Sequence, residues 1–178
     1  MKKTIYKLFF AWQFDKEEKW LNECSAKGLH LCDVGVCRYT FEEGKPGEYT
    51  NKIELLKEWP THPESVAYIR FLEDTGVEMV GSLLRWVYFR KKSDLEAFDL
   101  YSDLDSRIEH LNRITMLFLP FIFLEFSVGL SNLIASDSTN KFVGILCVLL
   151  GCLICYGTYN IHLKKQKLIK ERMIHERL

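Results

Sequence analysis

Two apolar stretches determine the architecture of this chain. Residues 114–135 read ITMLFLPFIFLEFSVGLSNLIA, and residues 142–161 read FVGILCVLLGCLICYGTYNI. A helix of about 20 residues is long enough to cross a hydrocarbon core of about 30 Å. The first stretch contains thirteen Leu, Ile, Phe and Val residues, whose favourable insertion outweighs the cost of one central acid, Glu125. The sequence therefore predicts two transmembrane helices, at 114–135 and 142–162.

The polar loop between the two stretches is short, which predicts a helical hairpin. It comprises residues 136–141 and contains one basic residue, Lys141. Lys and Arg accumulate on the cytoplasmic side of membrane helices, and here they flank the hairpin, in residues 93–113 and 163–178. We therefore expect a two-pass protein of the cell (inner or plasma) membrane with both termini in the cytoplasm. The N-terminal MKKTIYK continues into no apolar run long enough for a signal peptide.

The total charge of zero conceals an uneven distribution. Residues 1–113 hold 17 basic and 20 acidic residues, whereas residues 114–178 hold 7 basic and 4 acidic ones. The basic excess lies in a tail, residues 163–178, which we predict to be helical. Basic residues near an anionic leaflet are each attracted by about 1 kcal/mol, so we expect the tail to contact lipid and to serve topology. Its lipid-facing residues are Lys164, Lys165, Lys167, Lys170 and Arg172.

Residues 1–92 have the composition and pattern of a soluble domain. Residues 4–12 have strand character, and Asp15 with Glu18 forms a capping box that begins a helix. Gly28 stands where a left-handed residue commonly follows a helix. Two short strands and the turn EGKPG, at 43–47, come next. The order is strand, helix, strand, strand.

The following residues repeat this order. A capping box at 61–64, THPE, begins a second helix, which runs to Gly76 and is followed by two more strands. A shift of 48 residues superposes Gly28 on Gly76 and Phe41 on Phe89. Identity between the two halves is otherwise low, but the same elements recur in the same order.

The predicted fold class is accordingly α+β, with a transmembrane hairpin attached. We expect two βαββ repeats, at about 4–44 and 48–92, to form one antiparallel-rich sheet with two helices on one face. About 90 residues are enough for one modest hydrophobic core. The hairpin and a basic C-terminal helix follow this domain.

Several motifs in this domain resemble the N-terminal signature of a bacterial family. They are FDKEEKWLNE at 14–23, AKGLHL at 26–31, YTFEEG at 39–44, FLEDTGVE at 71–78 and WVYFRK at 86–91. The family is catalogued as domain of unknown function 2812, and the resemblance covers about residues 5–105. It implies a cytoplasmic domain followed by membrane helices, in low-GC Gram-positive bacteria, with genes often beside PadR-type transcription regulators. It implies no catalytic residues.

A juxtamembrane segment, residues 93–113, joins the domain to the first apolar stretch. Ser102 with Asp105 forms a capping box, and Leu104 with Ile108 begins an apolar face at helical spacing. We expect this helix to continue into the membrane without a break, so that residues 103–135 form one rod.

Small and polar residues of the hairpin recur at steps of three and four, which places them on one stripe of each helix. Small residues let two helices approach and polar residues bond across, so we expect the stripes to face each other or a second copy of the chain. Counting inward from the cytoplasmic ends puts Glu125 level with Gly151. The candidates for intramembrane packing or ligand binding are Glu125, Gly129, Asn132, Gly144, Cys147, Gly151 and Cys155.

Glu125 allows two interpretations. An acid inside a membrane is by default a ligand, proton or partner site, because its charge must be paired or its pKa raised. The alternative, which we favour, is a protonated Glu that is hydrogen-bonded across a helix interface and serves hairpin packing or dimerisation.

No catalytic, metal or cofactor site is indicated by the sequence. Cys24, His30, Cys32 and Cys37 match no compact zinc pattern, and we interpret the cysteines as free thiols. We interpret the acidic residues at 15–18 as a helix N-terminus that complements the helix dipole. The aromatic residues are assigned to the core, with an aromatic binding groove as the less favoured alternative.

Two classes of function remain. The first is a non-enzymatic membrane-anchored sensor or adaptor of unknown ligand, working with a PadR-type transcription regulator in an envelope or antimicrobial response. The second is an accessory subunit of a membrane transporter, and an enzyme is the third choice. The partners we expect are membrane lipids, a second copy or another membrane protein, and a cytoplasmic regulator; we expect no direct binding to nucleic acid and no cofactor.

Overall fold

The computed structural model describes residues 2–93, 98–101, 103–135 and 137–175. The chain divides into two compact units, Met1–Ser102 and Asp103–Leu178. This division separates the predicted α+β domain from the predicted hairpin, and each unit is described by itself.

In its described residues, 2–93 and 98–101, the first unit contains six strands, two α-helices and one short 3-10 helix. In chain order they are β1 (Lys2–Tyr6), the 3-10 helix (Ala11–Gln13), α1 (Phe14–Ser25), β2 (Leu29–Gly35), β3 (Arg38–Glu43), β4 (Tyr49–Leu55), α2 (Pro63–Asp74), β5 (Val77–Leu83) and β6 (Trp86–Lys92). The predicted α+β class and the order strand, helix, strand, strand in each half are confirmed. The first strand is shorter than expected, because the chain leaves the sheet after Tyr6 and turns through the 3-10 helix into α1.

The strands form two three-stranded antiparallel sheets with the same topology. Their orders are β1-β3-β2 and β4-β6-β5. The six described strands are therefore divided between two hydrogen-bonded sheets, whereas we had predicted a single sheet. Strand β2 lies against β5 of the other sheet, and α1 packs on β2 and β4, so that one helix holds strands of both halves.

The duplication extends to the details of each half. A bulge interrupts the strand register after Leu31 in β2 and after Met79 in β5, which lies one repeat of 48 residues later. Gly28 and Gly76 have φ values of 78° and 82°. This confirms the left-handed conformation expected for Gly28, and a Cβ there would also lie 2.7 Å from the carbonyl oxygen of Gly44.

Both helices of the domain begin at residues other than the predicted caps. The N-cap of α1 is Gln13, so Asp15 lies inside the first turn. The N-cap of α2 is His62, whose side chain accepts a hydrogen bond from the backbone N–H of Glu64. Thr61 is therefore not the cap. Both helix starts depend on the backbone that precedes them. A 3-10 helix leads into α1, and the backbone at His62, before α2, is extended.

The domain has two clusters of buried side chains. One combines α1 with strands of both sheets, and its members include Leu21, Phe41 and Ile53. The other lies around α2 and includes Ile69 and Phe89. Both phenylalanines are fully buried, at 0 % exposure, which agrees with their equivalent positions in the two repeats.

The second unit is a pair of long helices, α3 (Leu104–Ile134) and α4 (Ser138–His175), that pack against each other. The predicted hairpin is confirmed, and α3 continues through Pro120 as the expected single rod. Its N-cap is Asp103, which accepts a hydrogen bond from the backbone N–H of Ser106 at 2.6 Å. Ser102, the predicted cap, lies outside the described residues.

The connection between the two helices is shorter than predicted. The expected loop covered residues 136–141, but α4 already begins at Ser138. At its other end α4 continues from the apolar stretch into the basic tail, so the predicted C-terminal helix is the last part of α4. Residue 136 lies outside the described residues.

Both long helices satisfy the length and composition of a membrane span. The most apolar 18-residue stretch has a mean hydropathy of 1.9 in α3 and of 2.1 in α4. Only 11 % of this stretch is buried in α3, and only 17 % in α4. Core helices of soluble proteins bury most of such a surface. Large apolar side chains are instead exposed on both helices, among them Phe121, Phe123, Leu130, Ile145 and Leu149. These features are consistent with a membrane protein.

Candidate functional site

A buried carboxyl group lies in the core of the α+β domain. Glu17 is only 6 % exposed, although it belongs to the first turn of α1. The phenol of Tyr39 donates a hydrogen bond to its Oε1 at 2.7 Å, and the phenol of Tyr88 donates another to the same atom at 2.6 Å. Glu17 is thus part of a polar cluster as well as an acid of the first turn, where we predicted that it complements the helix dipole.

The duplicated fold brings these three residues together. Tyr39 lies on β3 in the first sheet, and Tyr88 lies on β6 in the second. Each is on the central strand of its sheet, and both are buried. Because α1 packs across strands of both sheets, Glu17 is within reach of one tyrosine from each repeat. We refer to Glu17, Tyr39 and Tyr88 as the carboxyl–phenol cluster.

Burial sets the protonation behaviour of the cluster. It raises the pKa of Glu17 above the ordinary value of 4.5, while the two phenol hydrogen bonds oppose this shift by stabilising the carboxylate. Burial also raises the pKa of Tyr39 and of Tyr88, and the neighbouring Glu17 carboxyl adds to both shifts. Both phenols therefore remain protonated near neutral pH and act as donors.

The second oxygen of the Glu17 carboxyl is not used by the fold. Both hydrogen bonds of this side chain go to Oε1, and Oε2 has no hydrogen-bond partner within the part of the chain that the structure describes. This oxygen is not among the fully buried side-chain atoms of the described residues that lack a partner, so it is accessible to solvent and to a bound group.

A cavity of about 220 Å³ adjoins the cluster. Aromatic and aliphatic side chains supply most of its wall, and Glu17 and the two phenols supply polar groups. The lining residues are Lys7, Leu8, Phe9, Ala11, Phe14, Glu17, Gly35, Val36, Cys37, Tyr39, Leu83, Trp86 and Tyr88. An apolar pocket with a few convergent polar groups and a perturbed carboxyl is the usual form of a small-molecule site. The aromatic groove that we considered the less favoured alternative thus has a physical counterpart.

One lysine lies at the rim of the cavity. The Lys7 ammonium is 4.9 Å from the ring centroid of Phe9 and 4.5 Å from that of Trp20. Cations are attracted to the faces of aromatic rings at such distances. Phe9 lines the cavity itself, so an aromatic ring of the wall already attracts a positive charge.

The hairpin brings together several of the residues predicted as an intramembrane site. A Cβ on Gly129 would lie 2.9 Å from Val148 and 3.3 Å from Cys147 Cβ, and a Cβ on Gly151 would lie 3.4 Å from Glu125 Cβ. Glu125 is therefore level with Gly151, as the count from the cytoplasmic ends suggested.

Two further predicted residues of the hairpin are Asn132 on α3 and Cys155 on α4. Asn132 donates its side-chain N–H to the carbonyl oxygen of Val128 at 2.9 Å, so its amide bonds within its own helix. Cys155 is half-buried on α4. A role of the stripe in assembly or ligand binding stays a prediction.

The basic tail residues all lie on the last part of α4. Arg172 donates a hydrogen bond to the carboxylate of Asp105 at 2.6 Å, which joins the end of α4 to the start of α3. The other predicted lipid-facing residues are exposed or half-buried, and they are Lys164, Lys165, Lys167 and Lys170. Contact of this tail with lipid stays a prediction.

Cysteines of the α+β domain and His30 do not assemble into a ligand set among the described residues. Among the described residues no group of three or more His, Cys, Asp or Glu side chains is arranged to hold a metal ion. His30 is hydrogen-bonded to Ser25 Oγ at 3.3 Å and to the Lys45 carbonyl oxygen at 2.9 Å. The cysteines within the described residues are free thiols.

Sequence reasoning missed the role of Glu17 because no local signal marks it. Its partners follow it by 22 and 71 residues, and only the tertiary fold brings them together. The equal spacing of the repeats could have suggested that β3 and β6 carry equivalent core residues. It could not have shown that α1 packs against strands of both sheets.

A protein-family model covers the greater part of this chain. The model of a family described as "Protein of unknown function (DUF2812)" matches residues 13–123, more than half of the chain. The matched region includes all three residues of the carboxyl–phenol cluster. Neither the curated proteins nor the solved structures gave a match.

Proposed function

Because this chain belongs to the DUF2812 family, whose description states no activity, we propose from its geometry that it is a non-enzymatic, membrane-anchored sensor or adaptor. The observation that carries the proposal is the unpaired Oε2 of Glu17, which belongs to a buried side chain that lines a cavity. A ligand in that cavity hydrogen-bonds to this accessible oxygen in place of solvent. The α+β domain is thus the sensing part of the molecule.

The two apolar helices are the anchor in this proposal. Their length and exposed apolar side chains support insertion, and the Lys and Arg residues that flank the hairpin support a two-pass arrangement with both termini in the cytoplasm. The α+β domain then lies on the cytoplasmic side. The basic end of α4 adds attraction to an anionic leaflet.

The partner in this proposal is a cytoplasmic regulator of the PadR type. The resemblance of the domain to its family supports this choice, since such regulators are often encoded beside members of the family. Occupancy of the cavity changes the surface that the domain presents to the regulator. The response concerns the cell envelope or an antimicrobial compound.

Binding is favoured over catalysis by the state of the two phenols. Tyr39 and Tyr88 both donate to the Glu17 carboxyl, and their raised pKa values leave neither as a phenolate nucleophile near neutral pH. A fixed pair of donors suits the positioning of one carboxyl group. The cavity is therefore assigned to recognition.

Co-purification from a mild detergent tests this proposal. The wild-type chain, Glu17→Gln and the exposed control Glu23→Gln, on the same helix, are each tagged and recovered from the native host. We expect a PadR-type regulator with the wild type, a changed yield with Glu17→Gln, and the wild-type yield with Glu23→Gln. Recovery of an ATPase or permease favours the transporter-subunit alternative, and recovery of no cytoplasmic protein contradicts the adaptor proposal.

A further inference from the structure

The charge and shape of the cavity beside Glu17 restrict the chemistry of its ligand. Glu17 contributes the acid of the wall, and its Oε2 is accessible and makes no hydrogen bond to a protein atom among the described residues. A group that donates a hydrogen bond satisfies this oxygen. A group that also carries a positive charge offsets the desolvation of the carboxylate.

The aromatic wall favours the same charge. Phe9, Phe14 and Trp86 line the cavity together with the two phenol rings of the cluster. Aromatic faces attract cations, and the attraction grows when the cation is removed from water. Lys7 demonstrates this preference within the chain, since its ammonium already lies over the ring of Phe9.

The size of the cavity limits the ligand to a small molecule. Pockets for drug-sized ligands measure about 300–1,000 Å³, and this one measures about 220 Å³. Aliphatic residues of the wall, among them Leu83 and Val36, favour a ligand whose polar group is attached to an apolar part. Lys7 is the one cationic residue of the described wall, and it lies on the outer, exposed side.

We propose that the cavity between the two repeats binds a small organic cation, a protonated amine with a compact apolar or aromatic body, whose N–H donates to Oε2 of Glu17. The inference rests on the proposed function in naming the ligand class of the same site. Glu17 is ionised in the complex, so the affinity rises as the pH rises through the pKa of Glu17. Lys7 repels the ligand and competes with it for the ring of Phe9.

Calorimetric titration of the full chain in detergent micelles tests the inference with three matched probes. They are 2-phenylethylamine, which is a cation, 2-phenylethanol, which is neutral, and phenylacetate, which is an anion. Empty micelles correct for partition of the probes into detergent. We expect the amine to bind at least about tenfold more tightly than the other two, and the preference to weaken as the pH falls below the pKa of Glu17.

Two variants identify the atoms responsible. Glu17→Gln keeps the shape and an acceptor for both phenols but removes the charge, and we expect at least a tenfold loss of amine affinity, with Glu23→Gln unchanged. Lys7→Met, at the exposed rim, is expected to raise amine affinity severalfold. This second variant keeps the test decisive if Glu17→Gln folds poorly.

The possible failures are distinguishable. Equal or tighter binding of 2-phenylethanol or phenylacetate overturns the cation proposal and leaves the sensor proposal standing. Binding of none of the three probes, or an amine affinity unaffected by both substitutions, also overturns the cation proposal. The sensor and adaptor proposal fails separately, when the full chain recovers no cytoplasmic protein.

Discussion

A Cβ atom on Gly144 would lie 2.8 Å from the carbonyl oxygen of Gly129 on the facing helix. The backbones of α3 and α4 therefore touch at this point, and neither position has room for a side chain. Because the obstacle is backbone, it cannot move aside as a flexible side chain could. The two glycines thus determine how closely the helices of the hairpin approach.

Substitution at this contact is expected to weaken the hairpin. We expect Gly144→Ala to destabilise it by about 1–3 kcal/mol, the usual cost of overpacking. The measurement is unfolding of the full chain by a denaturing detergent, followed by the loss of helical circular dichroism. Ser127→Ala, on an exposed part of α3, is the control. Equal stability of the two variants would show that the glycine contact carries no energy.

The role of Glu125 can be separated into charge and hydrogen bonding. We expect Glu125→Gln to preserve self-association of the chain in lipid vesicles and Glu125→Leu to weaken it by about 1 kcal/mol, since an interhelical hydrogen bond in a membrane is worth about this amount. Energy transfer between two labelled populations measures the association. If the Leu variant associates as well as the wild type, Glu125 has no role in assembly.

Glu17 is expected to make the stability of the domain depend on pH in a defined direction. Its pKa is raised in the folded state, so the folded chain holds this proton to a higher pH than the unfolded chain does. The contribution of Glu17 to stability is therefore complete below its ordinary pKa of 4.5 and is lost as the pH rises through the raised value. Glu17→Gln, which cannot ionise, should gain stability relative to the wild type over that interval.

Denaturation followed by tryptophan fluorescence measures this difference. All four tryptophans lie between residues 12 and 86, so the signal reports on the α+β domain alone. Glu23→Gln serves as the control, because Glu23 is exposed on the same helix. A stability difference between Glu17→Gln and the wild type that stays constant with pH contradicts the assignment.

The two repeats offer a matched pair of core substitutions. Phe41 and Phe89 are equivalent in the duplication, and both are completely buried. We expect Phe41→Ala and Phe89→Ala each to lower the free energy of unfolding of the domain by about 3–5 kcal/mol. Phe71→Ala is the control, since Phe71 is 63 % exposed, and it should have little effect. Urea denaturation gives the three values, and a minor effect of either core substitution would exclude that phenylalanine from the core.

The membrane topology can be tested with reporter fusions. Alkaline phosphatase is active only outside the cytoplasm, whereas green fluorescent protein fluoresces inside it. We expect the phosphatase to be active when inserted at Asp137, between α3 and α4, and a fluorescent protein at the C-terminus to fluoresce. The opposite pattern would reverse the orientation inferred from the Lys and Arg residues.

The sequence predicts the features of this molecule that depend on local pattern. The apolar stretches predict the hairpin, and counting inward from the two ends opposite the connection places Glu125 level with Gly151. The spacing of 48 residues predicts the duplicated order, because each repeat has a glycine, Gly28 or Gly76, at the left-handed position that follows its helix. Helix starts are less predictable, since Asp15 and Thr61 are both good caps by type and the chain enters each helix from a different residue.

Features that depend on contacts between distant segments are not predictable in this way. The division of the strands into two sheets depends on which edges form hydrogen bonds, and the alternation of side chains is the same in either arrangement. The burial of Glu17 depends on tyrosines from both halves. The position of Glu17 in the first turn of α1 predicts an interaction with the helix dipole, but it does not predict that the side chain is buried.

The internal symmetry of the α+β domain is broken where its carboxyl–phenol cluster lies. A shift of 48 residues carries Glu17 to Ser65, Tyr39 to Val87 and Tyr88 back to Thr40, and none of these three has a carboxyl or a phenol. The two repeats thus share a backbone plan, but they form this cluster once and in only one orientation. A saturating titration of the cavity should therefore reach a stoichiometry of one ligand per chain, although the architecture that holds it is twofold.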